Sequence, residues 1–211
     1  MPDLLDPTAT LDETGVRDDW DVADESPDES EETPELREPM DEDREGYELI
    51  HGTWVEKPTT GAISVRVGGR LVTHLATYVE ARSLGDVLPA DGAYQLFPSQ
   101  PKLIRKPDVS FVALGRLPNN ALPAGNLRLA PDLAAEVVSP NDEVVALEQN
   151  IDEYLRSGVK LVRVVHPQTK VAYIYRPDGT AARRATAESL DGEDVLPGFT
   201  LSLTDLFKGI C

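Results

Sequence analysis

The sequence predicts a mixed α/β fold, in which one mixed β-sheet is flanked by helices and preceded by a disordered acidic tail. Short apolar runs typical of strands alternate with two helical repeats, which favours a single sheet with helices on its faces. The charge is divided unevenly, with 19 acidic and 3 basic side chains in residues 1–45 and 19 acidic and 17 basic in residues 46–211. Two domains are therefore expected, 1–45 and 46–211.

Residues 1–45 consist mainly of Asp, Glu, Pro, Ser and Thr. Such a composition buries too little apolar surface to offset the entropy of ordering the chain, so we predict disorder. Two interpretations of this tail remain open. It is either a solvated spacer or a polyanion that competes with nucleic acid for a basic surface or recruits a basic partner.

The first ordered elements are predicted from residue 47 onwards. Two alternating runs in 47–56 flank Gly52, which is typical of a β-hairpin. A helix is predicted over 62–82, followed by strands at 86–97 and 103–113 and a loop at 114–128. The apolar residues that repeat along this helix are Ile63, Val67, Leu71, Leu75 and Val79.

The second half of the chain gives a clearer pattern. Residues 133–138 form an apolar run with one charge, as in a strand buried on both faces. A helix is predicted from Val144 to Gly158, a typical terminator. Strands at 160–165 and 170–175 follow, then a short strand pair and a terminal helical turn.

Composition also restricts the class of protein. The one cysteine, Cys211, excludes a disulfide within the chain, and the three histidines have no metal-ligand spacing. Because no run of 18 apolar residues exists and the sequence begins without a basic and apolar leader, we expect neither a membrane span nor a signal peptide. A cytoplasmic location is the corresponding expectation.

Two carboxylates lie within apolar strands, where an unpaired charge is costly. Asp108 precedes the run 109–113, and Glu136 lies inside 133–138. If the strands are neighbours, both carboxylates can bind a hard cation such as Mg²⁺, which promotes phosphodiester hydrolysis. Alternatively, Asp108 caps the turn after Pro107 and Glu136 pairs with Arg105 or Arg163.

Several blocks of the sequence, in their order, resemble the Uma2 family over about residues 47–207. They are YELIHG (47–52), KPDV (106–109), APDLAAEVVSPND (130–142), YLRSGV (154–159) and VVHP (164–167), with LDG (190–192) and LPGF (196–199) near the end. The resemblance implies a PD-(D/E)XK, restriction-endonuclease-like core and a divalent-metal-dependent endonuclease that hydrolyses DNA phosphodiester bonds.

The resemblance also implies roles for individual residues. Asp108 and Glu136 would bind Mg²⁺ or Mn²⁺, with the carbonyl of Val137 as a further ligand. Glu48 matches a recurrent glutamate of the family and would approach the same site from the first hairpin. The alternative for Glu48 is a surface carboxylate on an edge hairpin.

One departure from the family pattern concerns the lysine of the core motif. In the family this lysine usually lies four residues before the tyrosine of the Tyr-x-x-x-Gly-Val block, and here that position is Asn150. A neutral amide supplies only part of what an ammonium offers, although Asn150 can hydrogen-bond to a water. Lys106, Lys160 and Gln149 are possible substitutes among which the sequence does not choose.

These features leave three functions open. The first is a DNA endonuclease that uses Asp108, Glu136 and Asn150, and the second is a weakened or inactive relative that acts as a binding or regulatory module. The third is a mixed α/β domain whose acidic tail recruits a basic partner. The near-neutral charge of residues 46–211 weakens the nuclease hypothesis, because duplex binding normally requires a basic surface. We expect DNA as the partner and, from the family resemblance, a homodimer. Arg163 is a second departure, at a position where the family commonly has an aromatic residue.

Overall fold

A computed structural model of the protein describes residues 44–210, which all belong to one compact unit. The predicted disordered tail, 1–45, therefore lies outside the described residues except for its last two positions, and so does Cys211. Within residues 44–210, no helix combines the length and the apolar character needed to span a membrane.

The main sheet has six strands in the order β10-β9-β8-β7-β6-β3. The strands are β3 (Gly85–Pro89), β6 (Val109–Ala113), β7 (Leu133–Val137), β8 (Leu161–His166), β9 (Val171–Tyr175) and β10 (Ala181–Arg184). Only β7 and β8 pair in parallel, and all other neighbours are antiparallel. The mixed sheet predicted from the sequence is confirmed.

A smaller sheet has the order β2-β1-β5-β4 and consists of β1 (Tyr47–Ile50), β2 (Thr53–Glu56), β4 (Tyr94–Gln95) and β5 (Ile104–Arg105). The single-sheet expectation is thus incomplete. The strand predicted at 86–97 divides into β3 and β4 at a turn where Asp91 has a φ of 72°. The strand predicted at 103–113 divides into β5 and β6 around Pro107, so Asp108 lies where the chain passes from one sheet to the other.

The two long helices are α1 (Ala62–Glu80) and α2 (Val144–Ser157). Both were predicted, and Gly158 ends α2 in the left-handed conformation with a φ of 98°. Val67, Leu71, Leu75 and Val79 are fully buried, whereas Ile63 is exposed because it lies in the first turn of α1, outside the core.

The helices cover opposite faces of the main sheet. Leu133, Ala135 and Val137 belong to the same core as α1, whereas Ala134 packs with Tyr154 of α2. Side chains alternate along a strand, so Glu136 points to the α2 side. Residues 189–207 add the pair β11 (Ser189–Asp191) and β12 (Thr200–Ser202) and the short helix α3 (Leu203–Leu206).

Candidate active site

Asp108 and Glu136 lie at the same end of two neighbouring strands. β6 and β7 are antiparallel, and Val109 of β6 lies opposite Ala135 of β7. One position further outward, Asp108 precedes β6 and Glu136 belongs to β7. The Asp108 carboxylate accepts a hydrogen bond from the backbone N–H of Val137, with 2.8 Å between Oδ2 and N. The two strands are therefore neighbours, which is the condition for both carboxylates to share a site, and Asp108 bonds to β7 instead of capping the turn after Pro107.

Glu136 is oriented by a tyrosine from α2. The hydroxyl of Tyr154 donates to Glu136 Oε1 over 2.7 Å, and both side chains are buried. The alternative ion pairs are wrong, because Arg105 binds other carboxylates and Arg163 donates to the carbonyl of Asp191. Glu136 thus keeps an oxygen for a ligand.

Both carboxyl groups resist ionisation. Burial raises the pKa of Glu136 well above the usual glutamate range, and repulsion from Asp108 raises it further. Burial also raises the pKa of Asp108, although Lys57 and the Val137 N–H act in the opposite direction. Two neighbouring carboxyls whose pKa values are both raised indicate a site suited to a positive ligand.

The sequence analysis did not identify Lys57, the first residue after β2. Its ammonium lies 3.6 Å from Asp108 Oδ1 and donates to the carbonyl of Lys106 over 2.7 Å. Burial alone would lower the pKa of Lys57, but Glu136 and Asp108 outweigh burial and the pKa is raised, so the group stays cationic. The sequence offers only one weak signal, a lysine that directly follows the predicted hairpin.

Glu48 is neither a free ligand nor a surface carboxylate on an edge hairpin. It is buried on β1, an inner strand of the small sheet. Its Oε2 lies 2.8 Å from Arg105 Nη1, and its Oε1 accepts from the backbone N–H of Lys106 over 2.8 Å. Arg105 also pairs with Glu153 at 2.6 Å, so Glu48 helps to hold the segment that leads to Asp108.

These groups line one cavity of about 130 Å³ between the two sheets and α2. The candidate site residues that line this cavity are Glu48, Lys57, Asp108, Glu136, Val137 and Asn150. A neighbouring, mainly apolar cavity of about 280 Å³ along α1 shares Thr60, Asp108 and Val137 with it. Asp108 and Val137 therefore line both cavities, whereas Glu136 lines only the first.

A family model described as "Uma2: Putative restriction endonuclease" matches residues 29–204. The chain belongs to the Uma2 family. A crystal structure of a "putative nuclease belonging to DUF820" from Anabaena variabilis ATCC 29413 has a TM-score of 0.69 to this chain. The two are 20% identical, and the similarity covers 79% of this chain and 92% of that one. The chain thus has this nuclease-like fold. No curated protein matches the sequence.

Asn150 lies in the cavity wall one turn before Tyr154 on α2. Its Oδ1 is buried and has no hydrogen-bond partner among residues 44–210. A buried acceptor without a partner is costly, so this oxygen is suited to a water or ligand in the cleft.

The three substitutes considered for the Uma2 lysine lie elsewhere. The ammonium of Lys106 donates to the carbonyl of Arg44, and that of Lys160 contacts Asp132 at the opposite end of β7. Gln149 is exposed on α2 and does not line the cavity. Among the described residues, the lysine that lines this cavity is Lys57.

The residues present fit a hard divalent cation of the kind that Uma2 membership implies. Asp108 and Glu136 offer carboxylate oxygens, and Val137 lines the same cavity. In residues 44–210, no group of three His, Cys, Asp or Glu side chains is arranged to hold a metal by itself. Two carboxylates with a carbonyl and waters form a set that Mg²⁺ accepts, since this ion retains several waters.

Proposed function

We propose that this protein is a divalent-metal-dependent endonuclease that hydrolyses phosphodiester bonds in DNA with Mg²⁺ or Mn²⁺. The observation that carries the proposal is the meeting of Asp108 and Glu136, from adjacent strands, in a cleft beside the partly exposed ammonium of Lys57. Family membership supports the same reaction class.

Each residue of the cleft has a defined task in this proposal. Asp108 and Glu136 bind the ion, together with the Val137 carbonyl, and the hydrogen bonds from Val137 N–H and Tyr154 orient the two carboxylates. When bound, the ion supplies an activated water and offsets the charge that develops on the phosphate. Asn150 Oδ1 accepts a hydrogen bond from the attacking water and thereby positions it.

Glu48 is assigned a positioning role. Its two oxygens are occupied by Arg105 and by the backbone of Lys106, so it fixes the turn that presents Asp108. Glu48 therefore acts through Asp108 and does not contact the substrate.

The test is cleavage of supercoiled plasmid with Mg²⁺, with Mn²⁺ and with EDTA. We expect metal-dependent nicking that falls by about 10²-fold or more in Asp108→Ala and in Glu136→Ala, because each removes charge stabilisation in the transition state. Asp152→Ala is the matched control, since Asp152 is exposed on α2 and pairs with the exposed Arg156 at 2.7 Å. Equal cleavage by all variants would overturn the assignment of the site.

A second candidate function is a weakened or inactive nuclease-fold module that binds a partner. The observation that favours it is the neutral amide of Asn150 in place of the family lysine. In the same assay, Asn150→Lys should increase nicking by a weakened enzyme. A binding module would show no nicking before or after this change.

DNA is the proposed substrate and a homodimer the proposed assembly, since two sites can cut the two strands of a duplex together. The support for the dimer is family membership. A reducing, cytoplasmic compartment suits a chain with one cysteine. Light scattering of the purified protein, with and without duplex DNA, measures the assembly directly.

A further inference from the structure

Lys57 enters the cleft because of the hairpin that precedes it. β2 pairs with β1 up to Glu56 opposite Tyr47, and the backbone N–H of Lys57 then donates to the carbonyl of Gly46 over 2.8 Å. Pro58 follows and restricts the next backbone angle. The lysine is therefore anchored at both its backbone and its hydrogen-bonded ammonium, which lowers the entropy lost when it contacts a ligand.

The ammonium is placed between the acidic groups of the site. It lies 3.6 Å from Asp108 Oδ1, and its side chain is 24% exposed, so the charge is shielded but open to the cleft. Its hydrogen bond to the carbonyl of Lys106 uses one of three N–H donors. Donors remain for a phosphate oxygen or a water.

The other cation in the cavity wall cannot serve this purpose. Arg105 is buried and is held by Glu48 at 2.8 Å and by Glu153 at 2.6 Å. Its charge is thus compensated within the protein. Lys57 instead makes a longer contact of 3.6 Å with Asp108, a residue that would also bind the cation.

We propose that Lys57 performs the task of the missing family lysine: its ammonium contacts the scissile phosphate and the attacking water from the hairpin side. Asn150 contributes a neutral hydrogen-bonding group from α2. The ammonium stabilises the negative charge that increases on the phosphate oxygens as the P–O bond breaks. This inference rests on the proposed nuclease function.

The test combines cleavage with metal binding, using the full-length protein. Lys57→Met should reduce the nicking rate by about 10²-fold, and Lys57→Arg should retain more of the rate because it keeps the charge. Calorimetric titration with Mn²⁺ should show about tenfold tighter binding by Lys57→Met, because a positive charge next to the carboxylates has been removed. Glu136→Gln is titrated in parallel to subtract Mn²⁺ bound by acidic residues outside the site.

Two further variants complete the design. Lys102→Met is the matched control, because Lys102 is exposed, does not line the cavity and should leave both readouts unchanged. Adding Asn150→Lys to Lys57→Met returns an ammonium to the cleft from the helix side. We expect the double variant to nick plasmid about tenfold faster than Lys57→Met alone.

The outcomes separate the two proposals. Wild-type nicking that Asp108→Ala abolishes but Lys57→Met leaves intact would overturn the role of Lys57 and leave the nuclease standing. A wild type that never cleaves would overturn both proposals. Weaker Mn²⁺ binding and a lower melting temperature in Lys57→Met, without recovery by Asn150→Lys, would show a structural role only and also overturn the inference.

Discussion

The carboxyl of Glu136 lies on a strand buried on both faces, and its pKa is raised by burial and by Asp108. Between the unfolded and the folded pKa the native state binds more protons, so its stability falls as the pH rises through this window. At neutral pH the metal-free protein therefore carries an unfavourable free energy at Glu136. This cost is expected of a group held in place for a cation rather than for the fold.

Glu136→Gln should accordingly stabilise the metal-free protein. The amide keeps an oxygen for the hydroxyl of Tyr154 and removes the charge, so we expect a gain of roughly 1–2 kcal/mol at pH 7.5 in EDTA. Thermal unfolding measures it. The gain should shrink as the pH falls through the folded pKa and should vanish below the ordinary glutamate range, where the carboxyl is protonated in both states.

The same variant also tests metal binding. Millimolar Mn²⁺ should raise the melting temperature of the wild type by mass action and should leave Glu136→Gln nearly unchanged. Glu80→Gln is the control, because Glu80 is exposed at the end of α1 and should behave as wild type in both conditions. A lower melting temperature of Glu136→Gln in EDTA would contradict this account of the site.

At the scale of elements, Asp132 joins three strands at the end of the sheet opposite to the cleft. It precedes β7, its Oδ2 accepts from Ala113 N–H at the end of β6 over 2.9 Å, and its carboxylate binds Lys160 before β8 at 2.8 Å. Arg116 adds a contact of 2.9 Å. Burial would raise the pKa of Asp132, but Lys160, the Ala113 N–H and Arg116 outweigh it and the pKa is lowered.

Asp132→Asn should therefore destabilise the protein by about 1–3 kcal/mol at pH 7, a range that allows for solvent screening of the two exposed cations. The direction of the pH dependence follows from the lowered pKa of Asp132. The unfolded state binds more protons at acidic pH, so this contribution is present above the ordinary aspartate range and is lost as the pH falls through the folded pKa. Urea unfolding from pH 7 to pH 3 measures it, and the difference between the proteins should narrow with acid.

Asp152→Asn serves as the control for this measurement. Asp152 forms an exposed pair with Arg156 on α2, and such pairs contribute little. A constant difference between wild type and Asp132→Asn across the pH range would show that the loss arises from packing rather than from charge.

The elements that were predicted correctly depend on local patterns. The buried face of α1, the extent of α2 and the apolar run of β7 follow from residue spacing and from the terminator Gly158. The second sheet depends on the pairing of β1 with β5, where Leu49 meets Ile104 across 55 positions of sequence. No local periodicity reports such a contact.

Some residues of the site could likewise be predicted from local patterns, and others could not. Asp108 and Glu136 were predicted because charges within apolar strands stand out in a sequence. Lys57 was missed because it looks like an ordinary residue after a hairpin, and only the approach of the hairpin to Asp108 brings it into the cleft. The sequence did not predict the burial of Arg163 on β8 either, although its side chain is 0% exposed. Its guanidinium packs against the ring of Phe199, which is 36 positions later in the sequence.

At the scale of the whole molecule, the charged residues are distributed unevenly along the chain. Residues 46–211 are nearly neutral, whereas residues 1–45 carry a large excess of acid. A polyanion tethered to a nucleic-acid-binding surface competes with DNA for the same cations. In this cleft those cations include Lys57 and any bound divalent ion.

Deleting residues 1–43 should therefore tighten DNA binding by about tenfold at low salt, with the gain disappearing as ionic strength rises and screening shortens the range of the interaction. The deletion keeps Arg44, whose carbonyl accepts hydrogen bonds from Lys106 and from the backbone of Tyr47. Fluorescence anisotropy with labelled duplex measures the affinity, in an Asp108→Ala background so that no cleavage occurs.

The matched control replaces residues 1–43 by a neutral Gly/Ser chain of equal length, which keeps the excluded volume and removes the charge. If charge is the cause, the neutral chain and the deletion will bind DNA equally tightly and more tightly than the wild type. Equal affinity of all three proteins at every salt concentration would assign the acidic segment to the role of spacer, because a competing polyanion cannot be removed without changing the salt dependence of binding.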